Sequence, residues 1–230
     1  MAGFFIAEGD LVIERALGQG LELHAILIPE RRTSPLPSTV PDTANVYLAS
    51  DAVLSEITGR PQLRDTLSCF VRPTPPTAST LLQQANVIAI LENINNPNNL
   101  GVIIRNAAGL GIDAVFLDPR CGDPLYRRAI RSSMGQVFAI PYARLDGFPE
   151  GLETVHDHGF QTVALSPAGE IELRSLERGH KTAIVLGAEG PGLTESTLRA
   201  TSTRARITMA RGVDSLNVAN AAAIAFHHFA

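Results

Sequence analysis

Short apolar runs alternate with longer stretches of helical periodicity from residue 86 to residue 230, and this alternation constrains the fold more than any other feature of the chain. Residues 87–91 (VIAIL), 114–117 (AVFL), 162–165 (TVAL), 183–186 (AIVL) and 205–208 (ARIT) are too short for buried helices and read as buried strands. Helical patterns lie at 100–110, 124–132, 146–158 and 215–229. Strand–helix repetition of this kind predicts an α/β fold: a mostly parallel sheet with helices on both faces. In such sheets ligands bind beyond the carboxyl ends of the strands. The loops after Leu91, Leu165, Leu186 and Thr208 are therefore where chemistry is expected.

A composition break precedes this region. Residues 72–80 read RPTPPTAST, which favours an extended, semi-rigid connection. The chain divides on this reading into residues 1–72, a linker at 73–80, and residues 81–230. The first part reads as a small α/β unit. A helix at 9–20 would face the core with Leu11, Val12, Ala16 and Leu17. Strands follow at 23–28 and 46–49, and Ser50 or Asp51 caps a helix running to Ile57. His24 lies inside an apolar strand and is expected to be a satisfied core residue rather than a ligand.

Bulk properties exclude several classes. Hydrophobic residues make up 45% and charged residues 18% of the 230, the balance of a globular chain. No apolar run reaches the roughly 20 residues of a membrane helix, and the acids Glu8 and Asp10 argue against a signal peptide. Cys69 and Cys121 have neither disulfide-framework nor metal-site spacing. Together these predict a reduced, cytoplasmic protein without a metal. Of the 19 basic residues only Lys181 is lysine. Arginine's planar fork grips phosphate at two points. The clusters at Arg120, Arg127, Arg128 and Arg131, and at Arg199, Arg204, Arg206 and Arg211, fit either an RNA-tracking surface or an ordinary solvated face. The net charge of −4 argues mildly against a nonspecific nucleic-acid binder.

Three loops carry the chemistry. The first, residues 92–105 (ENINNPNNLGVIIR), turns from a strand into a helix through five asparagines and a proline, and Gly101 permits close backbone approach. Arg105 follows among Val102, Ile103, Ile104, Ala107 and Ala108. A charge in that setting needs a ligand or a carboxylate across the sheet. The second loop, residues 186–192 (LGAEGPG), sets three glycines around Glu189. It lacks the Lys-Ser/Thr pair of a Walker loop and the G-x-G-x-x-G spacing of a dinucleotide site, which counts against a Rossmann oxidoreductase. The third, residues 207–220 (ITMARGVDSLNVAN), offers Asp214 or Ser215 as a cap for the last helix and puts Asn217 and Asn220 into its otherwise apolar first turns, where buried amides need partners that helix-start bonding does not readily give Asn217.

In order and spacing these loops resemble the three signature motifs of the SpoU group of RNA ribose methyltransferases, within the SPOUT superfamily. Asn99-Leu100-Gly101 with Arg105 is similar to the first motif, residues 186–190 to the second, and residues 209–219 around Ser215-Leu216-Asn217-Val218 to the third. Residues 131–141 (RSSMGQVFAIP) resemble a Ser-Gly segment found between motifs one and two. Residues 1–72 are similar, more loosely, to the small RNA-binding domain related to ribosomal protein L30e. Asn98 and Asn220 depart from the family pattern without removing a residue expected to do chemistry.

The resemblance implies a C-terminal trefoil knot cradling S-adenosylmethionine, a homodimer, and transfer of a methyl group to a ribose 2′-hydroxyl. Leu186, Gly187, Ile207, Met209, Leu216 and Leu165 would line the cofactor pocket. Arg105 would be central, as base or as electrostatic stabiliser, with Asn99, Ser215 and Asn217 orienting it and the hydroxyl, and Glu189 holding the loops. Arg127, Arg128 and Arg131 would contact RNA. The sulfonium is already activated, so no metal is expected. Ribosomal RNA is the favoured substrate. Transfer RNA, or a noncatalytic RNA-binding or ribosome-assembly role on the same fold, stand as alternatives.

Overall fold

Period-two alternation along the buried strands sorts their side chains onto two opposite faces, and each face acquires its own helices. In β5, Val87, Ala89 and Leu91 point one way and pack with Leu100, Ile103 and Ile104 of the helix that follows, and with Ala222 and Phe226 of the last helix. Ile88 and Ile90 point the other way, against Leu81, Leu82, Leu152 and Val155. All six residues of this strand are buried, as expected where helices cover both faces.

The computed structural model describes residues 3–59 and 66–230. The first part contains β1 (Phe4–Glu8), α1 (Asp10–Gly18), β2 (Leu23–Pro29), β3 (Val46–Ala49), α2 (Asp51–Thr58) and β4 (Leu67–Val71). The second opens with α3 (Ala78–Gln84), β5 (Val87–Glu92), α4 (Pro97–Gly109), β6 (Ala114–Leu117), α5 (Arg127–Ser132), β7 (Tyr142–Arg144) and α6 (Gly151–Asp157). It continues with β8 (Gln161–Leu165), β9 (Ile171–Glu172), β10 (Thr182–Gly187), α7 (Glu195–Ala200), β11 (Thr203–Arg206) and α8 (Val218–Phe229).

The large sheet has seven strands in the order β7-β6-β5-β10-β8-β11-β9, and every pairing in it is parallel. Its carboxyl ends therefore share one edge. β5 and β10 are adjacent in full register, with Gly187 opposite Glu92, and the chain departs from this pair in opposite directions. That is the switch point at which parallel sheets open a crevice. The α/β class and the helices on both faces agree with the expectation from sequence.

The small sheet, in the order β1-β4-β2-β3, pairs β4 antiparallel with both neighbours, and β2 parallel with β3. The edge strand β1 (FFIAE) and the central β4 (LSCFV) were not anticipated. α1 buries Val12, Ile13 and Ala16, whereas Leu11 is 43% exposed; the apolar stripe is rotated by one position from the expected one. His24 is not in the core. It is exposed, with its ring 4.6 Å from that of Phe4, because the two side chains lie on the open side of the small sheet. Residues 72–77 carry no regular structure, and the Arg72 guanidinium reaches both oxygens of Asp123 at 2.7 and 3.2 Å. Phe5, Val12, Ile13 and Phe70 join the same apolar cluster as α4 and α8, so the two sheets share a core. Arg15 donates to the Met134 carbonyl across this junction.

Three helices start later than expected: α6 begins at Gly151 rather than Asp146, and α5 and α8 are delayed for local reasons. The Asp123 carboxylate accepts from the Leu125 N–H at 2.9 Å and turns the chain once before α5 begins at Arg127. α8 begins at Val218 rather than Ser215, because residues 207–217 cross the carboxyl edge of the sheet as irregular chain.

Gly101 owes its place to packing between helices. A β-carbon there would lie 2.4 Å from the Ala129 carbonyl oxygen and 2.7 Å from the Ser132 β-carbon, so α4 and α5 touch backbone to backbone. Gly101→Ala should push them apart and cost about 1–3 kcal/mol of stability by denaturant titration, despite alanine's better helix propensity. An unchanged or raised midpoint would contradict this packing.

Candidate functional site

The strand ends surround a cavity of about 680 Å³, within the range of small-molecule sites. Its walls come from the loop after β8 (Leu165 and residues 166–168), the glycine loop after β10 (residues 186–193), and the irregular segment after β11. Leu165, Leu186, Gly187, Ile207, Met209 and Leu216 all line it, as do Glu189, Ser215 and Asn217. Sheet order explains the gathering: β10, β8 and β11 are consecutive neighbours, so loops far apart in sequence emerge side by side.

Asn217 joins the three motifs. Its side-chain amide donates to Asn99 Oδ1 at 3.1 Å and to Glu189 Oε1. Its own oxygen accepts from the Ala219 N–H at 2.9 Å, capping α8. Both amide hydrogens and the carbonyl are thus engaged. The expectation that Asp214 or Ser215 caps this helix is corrected. Ser215 is exposed in the preceding segment, and Asn217, which that reading left without a partner, is itself the cap. Asn99 is nearly buried, at 9% exposure, in the first turn of α4. The next contact between the two helices is from Asn106 Nδ2 to the Ala219 carbonyl at 2.9 Å.

The glycine loop folds back on itself. Gly192 N–H donates to the Ala188 carbonyl at 3.0 Å, and a β-carbon on Gly187 would lie 2.3 Å from the Gly192 carbonyl carbon. Gly190 and Gly192 have φ of 86° and 70°, a region where only glycine is unstrained. Glycine here serves the loop's own closure, which leaves the backbone of residues 186–190 turned to the cavity.

Arg105 does not line the cavity, and its side chain is exposed. No hydrogen bond or ion pair holds it among the described residues, so neither the apolar burial nor the carboxylate across the sheet is found. Arg105 is the exposed position of its turn of α4, whereas Leu100, Ile103, Ile104 and Ala107 form the buried stripe. Arg127 and Arg131 face the buried Glu8 carboxylate at 4.0 and 3.9 Å, and Arg127 also donates to the Thr58 carbonyl at 3.3 Å. Arg128 between them is exposed.

Sequence reasoning missed a polar cluster behind the glycine loop. Glu92, 1% exposed at the end of β5, accepts from the Thr194 N–H at 3.0 Å and from the Thr194 hydroxyl at 2.9 Å. The Arg120 guanidinium bridges Glu92 and the buried Asp118 at 3.3 and 3.2 Å. The available signal was a carboxylate closing a fully apolar strand, which demands partners. Cys121 lies alongside. Its thiol donates to the Leu91 carbonyl and accepts from the Ile94 N–H, both at 3.2 Å. Burial, reinforced by Asp118, pushes its pKa up to about 12, so it stays a protonated structural link.

Among the described residues the cavity wall carries three carboxylates, Glu189, Glu195 and Asp214, and no basic side chain. Ser166, Ser215 and Asn217 add neutral polar groups, and apolar side chains and backbone supply the rest. This lining suits a ligand with a flat apolar part and a positive centre, and disfavours a polyphosphate. No group of His, Cys, Asp and Glu among the described residues is arranged to hold a metal ion.

Asn217→Asp isolates the junction from the cap. An aspartate still accepts from Ala219 N–H but loses both donated bonds and sets a carboxylate against Glu189. We predict a loss of about 1 kcal/mol at neutral pH. A variant as stable as the parent at pH 7 would contradict the bridging role.

The SpoU rRNA Methylase family profile matches residues 86–227, the span that carries the large sheet and all three loops. A tRNA/rRNA methyltransferase of Mycobacterium tuberculosis is 41% identical over 227 residues, 96% of this chain and 79% of that protein. The 23S rRNA (guanosine(2553)-2′-O)-methyltransferase RlmP of Bacillus subtilis is 25% identical over 224 residues, 97% and 87% of the two chains. The crystal structure of an AdoMet-bound rRNA methyltransferase from Sinorhizobium meliloti superposes with a TM-score of 0.84 at 28% identity, covering 98% of this chain and 86% of that one. With its motifs, parallel sheet and strand-end cavity in agreement, this chain belongs to the SpoU rRNA Methylase family.

Proposed function

We propose that the protein is an S-adenosylmethionine-dependent RNA ribose 2′-O-methyltransferase acting on ribosomal RNA. The observation that carries the reading is the junction at Asn217, which ties Asn99 of the first motif and Glu189 of the second to the third at the mouth of one cavity. The relatives named for ribosomal RNA support the substrate class.

Leu186, Ile207, Met209, Leu216 and Leu165 would sandwich the adenine ring, with backbone groups of the strand ends reading its polar edge. Glu189, Glu195 and Asp214 would face the positive charge. Bound there, S-adenosylmethionine supplies a methyl group on a sulfonium. Asn99, Ser215 and Asn217 then orient the ribose hydroxyl, and the rate gained comes from holding it in line. A guanidinium remains protonated in proteins, so we assign Arg105 the stabilisation of negative charge developing on the ribose oxygen, and contact with the neighbouring phosphate. The exposure of Arg105 and its lack of a protein partner favour a role completed by RNA or a second copy of the chain. The reading accordingly includes a homodimer and a trefoil knot formed by the segments after β10 and β11 with α8. It also includes an L30e-like RNA-binding unit at residues 1–72, a linker at 73–80, a catalytic domain at 81–230, and a cytoplasmic location. No helix among the described residues is long and apolar enough to cross a membrane.

Arg105→Ala should lower methyl transfer to RNA by at least about 10²-fold while calorimetric affinity for S-adenosylmethionine stays within about twofold. Loss of cofactor affinity together with activity would move Arg105 into the binding site and overturn its assigned role. For RNA contact, Arg128→Glu is the informative change, because Arg127 and Arg131 also hold Glu8. It should weaken RNA binding and reduce the slope of log K against log salt by about 1; an unchanged slope would remove Arg128 from the RNA surface.

A further inference from the structure

We infer that Glu92 is a positioning residue for the cofactor site: it does not itself line the cavity, yet it fixes the glycine loop that forms that wall. The inference rests on the reading of the cavity as the S-adenosylmethionine site.

Three features carry it. First, Glu92 stands where two motifs meet. Its backbone ends β5 and leads into the asparagine-rich loop, and in the sheet it lies opposite Gly187, the residue that starts the glycine loop. Second, its two carboxylate oxygens are both spent on the far end of that loop. Oε2 accepts from the Thr194 N–H and Oε1 from the Thr194 hydroxyl. The loop leaves the sheet at Gly187 and closes at the Ala188–Gly192 bridge, and Thr194 is where it is pinned before α7. Third, the carboxylate is 1% exposed, and its charge is met by Arg120, which Asp118 holds from behind at Nε. A buried carboxylate with this full set of donors is rigid, because each bond lost leaves a polar group unmet away from water.

The consequence for function is specific. Glu92 and Thr194 are absent from the cavity lining, whereas residues 186–193 between them contribute to it continuously. The clamp sets where the backbone of residues 186–190 stands relative to Leu216 and Ile207 on the opposite wall. Releasing it loosens the cofactor's seat, whereas the Asn217 bonds to Asn99 and to the Ala219 N–H lie outside the loop and stay in place. Binding should suffer and the chemical step should not.

The test uses the full-length protein and S-adenosylhomocysteine as the binding probe, with methyl transfer to RNA as the second readout. Glu92→Ala and Thr194→Val should each weaken S-adenosylhomocysteine binding, Glu92→Ala by about tenfold or more, since it abandons both Thr194 donors. Both should raise the KM for S-adenosylmethionine with kcat at saturation within about twofold of the parent. Thr194→Ser, which keeps N–H and hydroxyl, should restore parental affinity. The Thr194 hydroxyl also caps α7 by accepting from the Thr197 N–H, so a purely structural role would separate serine from valine too, but it would lower kcat along with the folded fraction instead of raising KM alone. If Glu92→Ala does not fold, the Thr194 pair decides alone. Parental affinity in Thr194→Val, or a fall in kcat with KM unchanged, overturns the inference. Failure of the parent protein to bind either S-adenosylmethionine or S-adenosylhomocysteine overturns the cofactor-site reading beneath it, a result distinct from equal affinities across the variants.

Discussion

The strands of the large sheet all run the same way, and everything at the site follows from that constraint. Parallel pairing delivers each loop to the same edge. The strand order then decides which loops become neighbours: β5, β10, β8 and β11 stand in a row, although their following loops begin at residues 93, 188, 166 and 207. The crevice opens over β10, β8 and β11, whose following loops supply its walls. Helices on both faces supply the apolar burial that holds the sheet, with odd and even residues of β5 assigned to different cores.

Polar side chains then convert neighbouring loops into a defined shape. Asn217 does this at the mouth of the cavity, using the two donors and one acceptor that only an amide offers. Glu92 does it from behind, and the Cys121 thiol links the loops after β5 and β6. Glycine is needed where backbone meets backbone, at Gly187 against Gly192 and at Gly101 against Ala129. Loop closure and helix packing require these glycines even before any ligand is considered.

The architecture was legible because its signals are local and periodic: apolar runs of four to six residues, helical stretches between them, and polar or glycine-rich turns at the strand ends. The six residues that the resemblance implied as a pocket do line one cavity, and three of them, Leu165, Leu186 and Gly187, stand at the ends of adjacent strands. What was not legible depended on where a helix begins or which way a side chain turns. Asn217 read as a buried amide without a partner because α8 was expected to start at Ser215. Arg105 read as embedded because its sequence neighbours are apolar, yet helical geometry turns it away from them. His24 read as core from an apolar strand whose outer side is open. Glu92 went unnoticed because its partners, Thr194 and Arg120, are distant in sequence and unremarkable in type.

The central claim is that the three motif loops, joined at Asn217, form one seat for S-adenosylmethionine. A crystal structure of the protein with S-adenosylhomocysteine tests it most directly. The account predicts the adenine between Leu186 and Leu216, backed by Ile207 and Met209, with the Asn217 bonds to Asn99 and Glu189 intact. Ligand bound away from these residues, or a junction broken in the occupied site, would contradict it.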